Sequence, residues 1–264
     1  MSDFPHWLMA TGIVLLASSV QGLTGFGFAI LAVPLLTIVE EPHEAITVCM
    51  VLSTISVVGM WWVTRRQERL PISGRLFAAA LFGLPAGLLV LDYLEADWLK
   101  LTAGLATLAV TVVVASMAYS GVRKDPGTNA PSEATAWWPR ATLPAGVASG
   151  VLAGCLSMPG PPVVALLSGG NVPKTVYRAT LLTFFALIYP AASIAMCASG
   201  LIGRHDLAVG LSHLPALGAG AWLGDILHGR IRDSAFTNLS LLLLAASGAA
   251  CVWAAAGSLM ASFG

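Results

Sequence analysis

Apolar positions fall in long uninterrupted stretches along this chain, at 7–39, 45–63, 76–94, 99–120, 141–167, 177–201, 207–227 and 236–260. Most hold about twenty residues, the length at which a helix rising about 1.5 Å per residue crosses a hydrocarbon layer of about 30 Å. They show no alternation of apolar and polar positions, which a membrane-spanning strand of about ten residues would require. In lipid, each backbone polar group must be paired within its own helix or closed barrel. The pattern therefore predicts an all-α polytopic membrane protein.

Two stretches exceed what one crossing needs. Residues 7–39 would make about 50 Å of continuous helix, and Gly22, Gly25 and Gly27 interrupt them near the middle. Residues 141–167 carry a stronger break, Pro159-Gly160-Pro161-Pro162. Neither Pro161 nor Pro162 has an N–H to donate, so both suit the first turn of a new helix. Each stretch predicts a hairpin of two half-length helices that enter and leave by the same face.

The longest polar interruption, 121–140, lies near the centre and carries Arg123, Lys124, Asp125, Pro126, Gly127 and Asn129. Its turn residues and charges mark a linker. On either side the chain repeats itself weakly. Thr24-Gly25-Phe26-Gly27 corresponds to Ser157-Met158-Pro159-Gly160, Pro42 to Pro173, and Gly83 with Gly87 to Gly220 with Gly224. The expected organisation is a first repeat at 1–120, the linker, and a second repeat at 141–264. Each repeat would be a broken-helix hairpin plus three transmembrane helices.

Charge supplies the orientation. Arg65, Arg66, Arg69 and Arg75 share one loop; Arg123, Lys124 and Arg140 a second; His228, Arg230 and Arg232 a third. These are expected on the cytoplasmic side. Glu40, Glu41 and Glu44, then Asp92, Glu95 and Asp97, fall outside, with Lys100 and Arg204 against the trend. The first hairpin then opens outward and the second inward, beside Lys174 and Arg178. The halves are expected to be inverted-topology repeats with both termini outside. Met1 to Trp7 lack the basic region of a secretory signal, so the first stretch is expected to be retained.

Composition sharpens the class. Hydrophobic residues make up 57% and charged residues 10%, against about 25% charged in soluble domains. Thirteen basic residues balance thirteen acidic ones, and no basic stripe suggests a nucleic-acid partner. Cys49, Cys155, Cys197 and Cys251 stand singly, without metal-binding spacing, and no cofactor is implied. There is no GxxxxGK[ST] of a nucleotide-driven pump. HExxH and GxSxG, which an intramembrane enzyme would need in some form, are missing too. A secondary transporter is the leading expectation, with a passive anion channel of the same architecture as the alternative.

Interrupted helices in inverted repeats place a substrate near the midplane, where the breaks meet. A helix N-terminus follows each break, offering unpaired N–H groups and a positive dipole end to an anion. The candidate binding residues are Gln21, Thr24, Gly25, Phe26 and Gly27 at the first tip. Ser157, Met158, Pro159, Gly160 and Pro161 are their counterparts at the second. Thr24 and Ser157 are expected to add hydroxyl donors, and Gln21 an amide. The same glycines and prolines can also be read as packing and kink residues. Arg178 either reaches an anion at the cytoplasmic mouth or snorkels to lipid phosphate. His213 is a candidate proton relay or a hydrogen-bonded structural residue. Asp225 is a candidate coupling group or an interfacial partner of Arg230 or Arg232.

Gly22-Leu23-Thr24-Gly25-Phe26-Gly27 leads to Val33-Pro34-Leu35-Leu36. With the second tip, Ser157-Met158-Pro159-Gly160-Pro161-Pro162, and with Gly220-Ala221-Trp222-Leu223-Gly224-Asp225, it resembles the TauE/SafE family of sulfite exporters and related transporters of sulfur-containing anions. The resemblance spans the chain apart from the linker. It implies export of sulfite, sulfoacetate or a related organosulfonate across a bacterial cell (inner) membrane. Proton or sodium coupling and homo-oligomer formation are left open.

Overall fold

Proline and glycine decide where the helices of this chain start, bend and touch. The computed structural model describes residues 3–24, 27–64, 72–119, 138–168, 174–228 and 233–263. Among them are eleven helices and no strand: α1 (Asp3–Thr24), α2 (Phe28–Val39), α3 (Pro42–Thr64), α4 (Ile72–Tyr93), α5 (Ala96–Tyr119), α6 (Trp138–Leu156), α7 (Gly160–Ser168), α8 (Lys174–Ala198), α9 (Arg204–Ser212), α10 (Leu214–His228) and α11 (Asp233–Phe263). Pro42 opens α3, and Pro161 and Pro162 sit in the first turn of α7, where a missing N–H costs nothing.

Helices α3, α4, α5, α8 and α11 are each long and apolar enough to cross a membrane. Helices α9 and α10 pass the same test only together, bent by 43°, and bring the number among the described residues to six if they form one span. Counted so, three of these candidate spans precede residues 121–140 and three follow. Within the apolar stretch 207–227 the chain breaks at His213. Pro215 is the physical reason, since it has no N–H for the Leu211 carbonyl and its ring crowds that group.

The hairpins also differ from the expected pair of half-length helices. In the first, α1 has 22 residues and α2 has 12; in the second, α6 has 19 and α7 has 9. Both first arms start upstream of the apolar stretch that announced them, and both turns fall past the middle of that stretch, so the first arms are the longer. The first chain reversal is direct. His6, Trp7 and Ala10 of α1 line the same cavity as Leu36 and Glu40 at the far end of α2.

Helix packing follows small residues. Helix α4 lies along α6, and α10 along α1. A Cβ on Gly83 or Gly87 of α4 would collide with the carbonyls of Val147 or Val151 on α6. One on Gly220 of α10 would collide with the Leu15 carbonyl and the Ser18 hydroxyl of α1, and one on Gly22 would stand 2.7 Å from the Ala221 carbonyl. Backbones brought this close gain van der Waals contact, which drives helix association in lipid. The two matched glycine pairs thus sit in corresponding seams. Helices α5 and α11, and α3 and α8, pair between them.

Phe28, Ile46, Met50, Met158 and Phe184 are fully enclosed in the core, while Phe82, Ile194 and Trp253 face outward. Several sequence expectations fall outside the described residues: Arg65, Arg66, Arg69, Arg123, Lys124, Arg230 and Arg232, together with Pro173 and most of the linker.

Candidate functional site

Both helix breaks are made by a residue in the left-handed region. Gly27 caps the N-terminus of α2 with φ 103°, a conformation that glycine adopts at no steric cost. Ser157 follows the end of α6 with φ 56°, which is uncommon for a residue with a Cβ. Three hydrogen bonds hold the second turn. The Ser157 hydroxyl donates to the Ile46 carbonyl of α3 at 2.8 Å, and the Tyr189 phenol of α8 donates to the Ser157 carbonyl at 3.1 Å. The Met158 N–H reaches back to Leu152 at 3.1 Å.

The two tips meet. Gln21, Gly27, Phe28, Ala29 and Ile30 of the first hairpin share one small cavity with Met158 and Gly160 of the second. Val57 of α3 and Phe185 and Tyr189 of α8 complete its wall. Its volume is about 10 Å³, space for about one water molecule. Among the described residues, no carboxylate and no cationic side chain lines the cavity.

Its donors come from two sources. Gln21 is only 3% exposed, and its Oε1 accepts from the Ser56 hydroxyl at 2.7 Å. That bond fixes the carboxamide and leaves the NH₂ group available. The first turn of α2 has no side-chain cap, so its N–H groups have no partner within the helix. The residues of that turn, Phe28 to Ile30, line the cavity together with Gly160 at the start of α7.

The structure sorts the sequence candidates. Gln21, Gly27, Met158 and Gly160 come together around the cavity, and buried Ser157 and Pro159 form the turn behind it. Pro161 is half-buried in the first turn of α7. Thr24 ends α1, but its side chain lies outside the described structure, as do Gly25 and Phe26. Ser157 differs from its expected use, because its single hydroxyl proton is committed to Ile46.

Arg178 is half-buried on α8, and its Nε finds no partner among the described residues. It precedes Phe185 by seven residues, which puts it on the same helix face and about 10 Å along the axis. It is therefore below the tip cavity and not part of its wall. Asp225 is exposed on α10, and its expected partners lie outside the described residues.

His213 is elsewhere. It occupies the bend between α9 and α10 with only 2% exposure. Its Nδ1 lies 3.0 Å from the Thr11 hydroxyl, and its ring stacks on Trp7 at 5.6 Å. It lines a second, larger cavity of about 360 Å³, with His6, Glu40, Glu44 and His205.

Sequence reasoning missed Ser56, Phe185 and Tyr189 at the tips, and Thr11, Trp7, Glu44 and His205 around His213. One signal was present: polar groups inside apolar stretches need buried partners, and Gln21, Ser56 and Tyr189 are such groups. No cluster able to hold a metal ion occurs among the described residues.

Five helices of membrane-spanning length, a sixth candidate in the bent α9–α10 pair and two converging helix breaks mark a multi-pass helical membrane protein built on interrupted helices. The sequence model of the family described as "Sulfite exporter TauE/SafE" matches residues 10–251, and the chain belongs to that family. No curated protein and no solved structure matches the chain.

Proposed function

We propose that this protein is a secondary transporter that exports sulfite or a related organosulfonate, such as sulfoacetate, across the inner membrane of a bacterial cell. The anion is held between the two hairpin tips, near the middle of the bilayer. One observation carries this reading: Gln21 and the uncapped first turn of α2 converge with the start of α7 on a single cavity that no acidic group lines among the described residues. Such a site binds an anion by hydrogen-bond donors and a helix dipole, without a buried Lys or Arg. Sulfite and sulfonates present several acceptor oxygens to these donors.

The cavity of about 10 Å³ is too small for a four-atom anion. Substrate access therefore requires the tips to part. The corresponding seams, α4 on α6 and α10 on α1, fit two inverted repeats. Because each joins a hairpin arm of one half to a helix of the other, the tips part as two units, α1 with α10 and α6 with α4, move against one another. Alternating access follows from that motion.

Counterflow in proteoliposomes tests the proposal. Vesicles loaded with sulfite should accumulate labelled sulfite when they contain the protein, and unlabelled sulfoacetate should compete. Methylammonium should not. Absence of sulfite exchange together with binding of the cation would remove the mechanism.

A further inference from the structure

We propose that His213 is a proton-binding site at the α9–α10 hinge, through which sulfite movement is coupled to a proton. The inference rests on the transport reading above and adds the driving ion.

The hydrogen bonds fix the tautomer. Thr11 has one hydroxyl proton, and it is donated to the Trp7 carbonyl at 2.7 Å. The contact between Thr11 Oγ1 and His213 Nδ1 at 3.0 Å must then be donated by the imidazole. Neutral His213 carries its proton on Nδ1, and Nε2 keeps a lone pair. Nε2 makes no hydrogen bond among the described residues, yet it is not sealed from solvent. The residue lines the cavity of about 360 Å³. A proton arriving through that cavity binds the Nε2 lone pair, and no existing bond breaks.

Burial of His213 opposes the resulting cation, and the stacked Trp7 ring is the contact that favours it. The Trp7 ring stacked on His213 presents a π-face. Glu40 at the end of α2 and Glu44 on α3 line the same cavity, with His6 of α1 and His205 of α9. Glu44 is paired with His205 at 3.5 Å. Asp206 of α9 is committed to the Thr47 hydroxyl at 2.8 Å and the Gly203 N–H at 2.8 Å. His43 of α3 is bonded to Glu41 and to the Leu91 carbonyl. Arg204 and Asp225, on α9 and α10, are exposed and do not line the cavity.

The site is mechanically connected to the tips. His213 stands at a 43° bend, and α10 beyond it is locked on α1 through Gly220, Leu15 and Ser18. Helix α1 ends in the tip that carries Gln21. Trp7, on the same helix, donates to Ser212 at 3.1 Å on the other side of the bend. A charge placed at His213 acts on the joint between these two connections.

The test uses the full-length protein and two readouts, one of which does not involve sulfite. Imidazole ¹⁵N spectra should contain a ring signal, lost in His213→Gln, that is Nδ1-protonated at high pH. It should gain a second proton as the pH is lowered from about 8 to about 4. Thr11→Val should abolish the tautomer preference. A His213 ring that stays unchanged over that range, or is protonated on Nε2 at high pH, overturns the proposal. In proteoliposomes, a pH gradient should stimulate sulfite flux several-fold, and His213→Gln should lose that stimulation. Sulfite binding to each variant, measured alongside, separates lost coupling from a lost fold. Equal stimulation of the variant and the original overturns the coupling. A titrating His213 in a protein that exchanges no sulfite supports the proton site and sinks the substrate instead.

Discussion

The phenol of Tyr189 on α8 donates a hydrogen bond to the carbonyl of Ser157 at 3.1 Å, tying a transmembrane helix to the turn of the second hairpin. Ser157 itself is in the left-handed region and is bonded through its hydroxyl to Ile46. Replacing Tyr189 by Phe should lower stability by about 1–3 kcal/mol, because a buried carbonyl loses its donor. Ser157→Ala keeps the backbone strain and loses the hydroxyl bond. Ser157→Gly loses the same bond but relieves a strain of about 1–2 kcal/mol. Thermal unfolding should rank the glycine variant above the alanine variant; the reverse order would deny that the turn is strained.

A second prediction concerns the amide at the first tip. Gln21→Leu removes the NH₂ donor, and a hydrogen bond to a charged group is worth about 1.5–3 kcal/mol. Sulfite affinity should fall roughly ten- to a hundredfold. Ser56→Ala frees the carboxamide to rotate and should cost less. Gln21→Glu should be the most damaging, since it sets a negative charge against the anion. Titration calorimetry on the three variants checks the order. Unchanged affinity in Gln21→Leu would place the anion elsewhere.

The glycine seams should respond in yield and not in affinity. Gly87→Val on α4 and Gly220→Val on α10 each force a side chain into a facing carbonyl, so folded yield should collapse. Gly218, one residue pair away on α10, has nothing within 4 Å of an added Cβ. Gly218→Ala should be neutral, or stabilising by up to about 1 kcal/mol. Size-exclusion profiles of the three variants decide it, and a well-folded Gly220→Val would remove the seam.

The membrane class, the two helix breaks and the glycine pairs were legible because each rests on local chemistry. Hydropathy follows from composition, breaks from Gly and Pro, and seams from residues with no side chain. Unequal hairpin arms were not legible: flanking residues such as Asp3 and Trp138 lengthen the first arms, and the turns at Gly27 and at Ser157 to Pro159 fall past the middle of each stretch and shorten the second. The hinge was announced by Pro215, yet the apolar run through 207–227 concealed it. Ser157 shows the general limit. Its residue type suggested a ligand donor, but its partner Ile46 lies 111 positions away, and only the fold reveals that the proton is committed.

Orientation rests on charges in loops, and it can be tested directly. Single cysteines placed near Gly127 should be labelled only from the cytoplasmic side, and cysteines replacing Ser2 and Ser262 only from outside. An external linker would contradict the inverted arrangement of the halves and reassign the side on which the His213 cavity opens.

Gly160 gives the sharpest separation of binding from packing. A Cβ there would stand 3.5 Å from Phe185 and 3.7 Å from Ile30, which is ordinary contact, so the fold has room for it. The same methyl group projects toward the cavity of about 10 Å³ between the tips. Gly160→Ala should therefore keep its yield and melting temperature while sulfite affinity drops at least tenfold. If Gly160 serves only packing, the variant should match the original in all three measurements. Gly160→Leu is the necessary companion, since its bulk must displace Phe185 or Ile30 and should lower both stability and affinity. A stable Gly160→Ala with undiminished sulfite binding would show that the anion does not approach the start of α7.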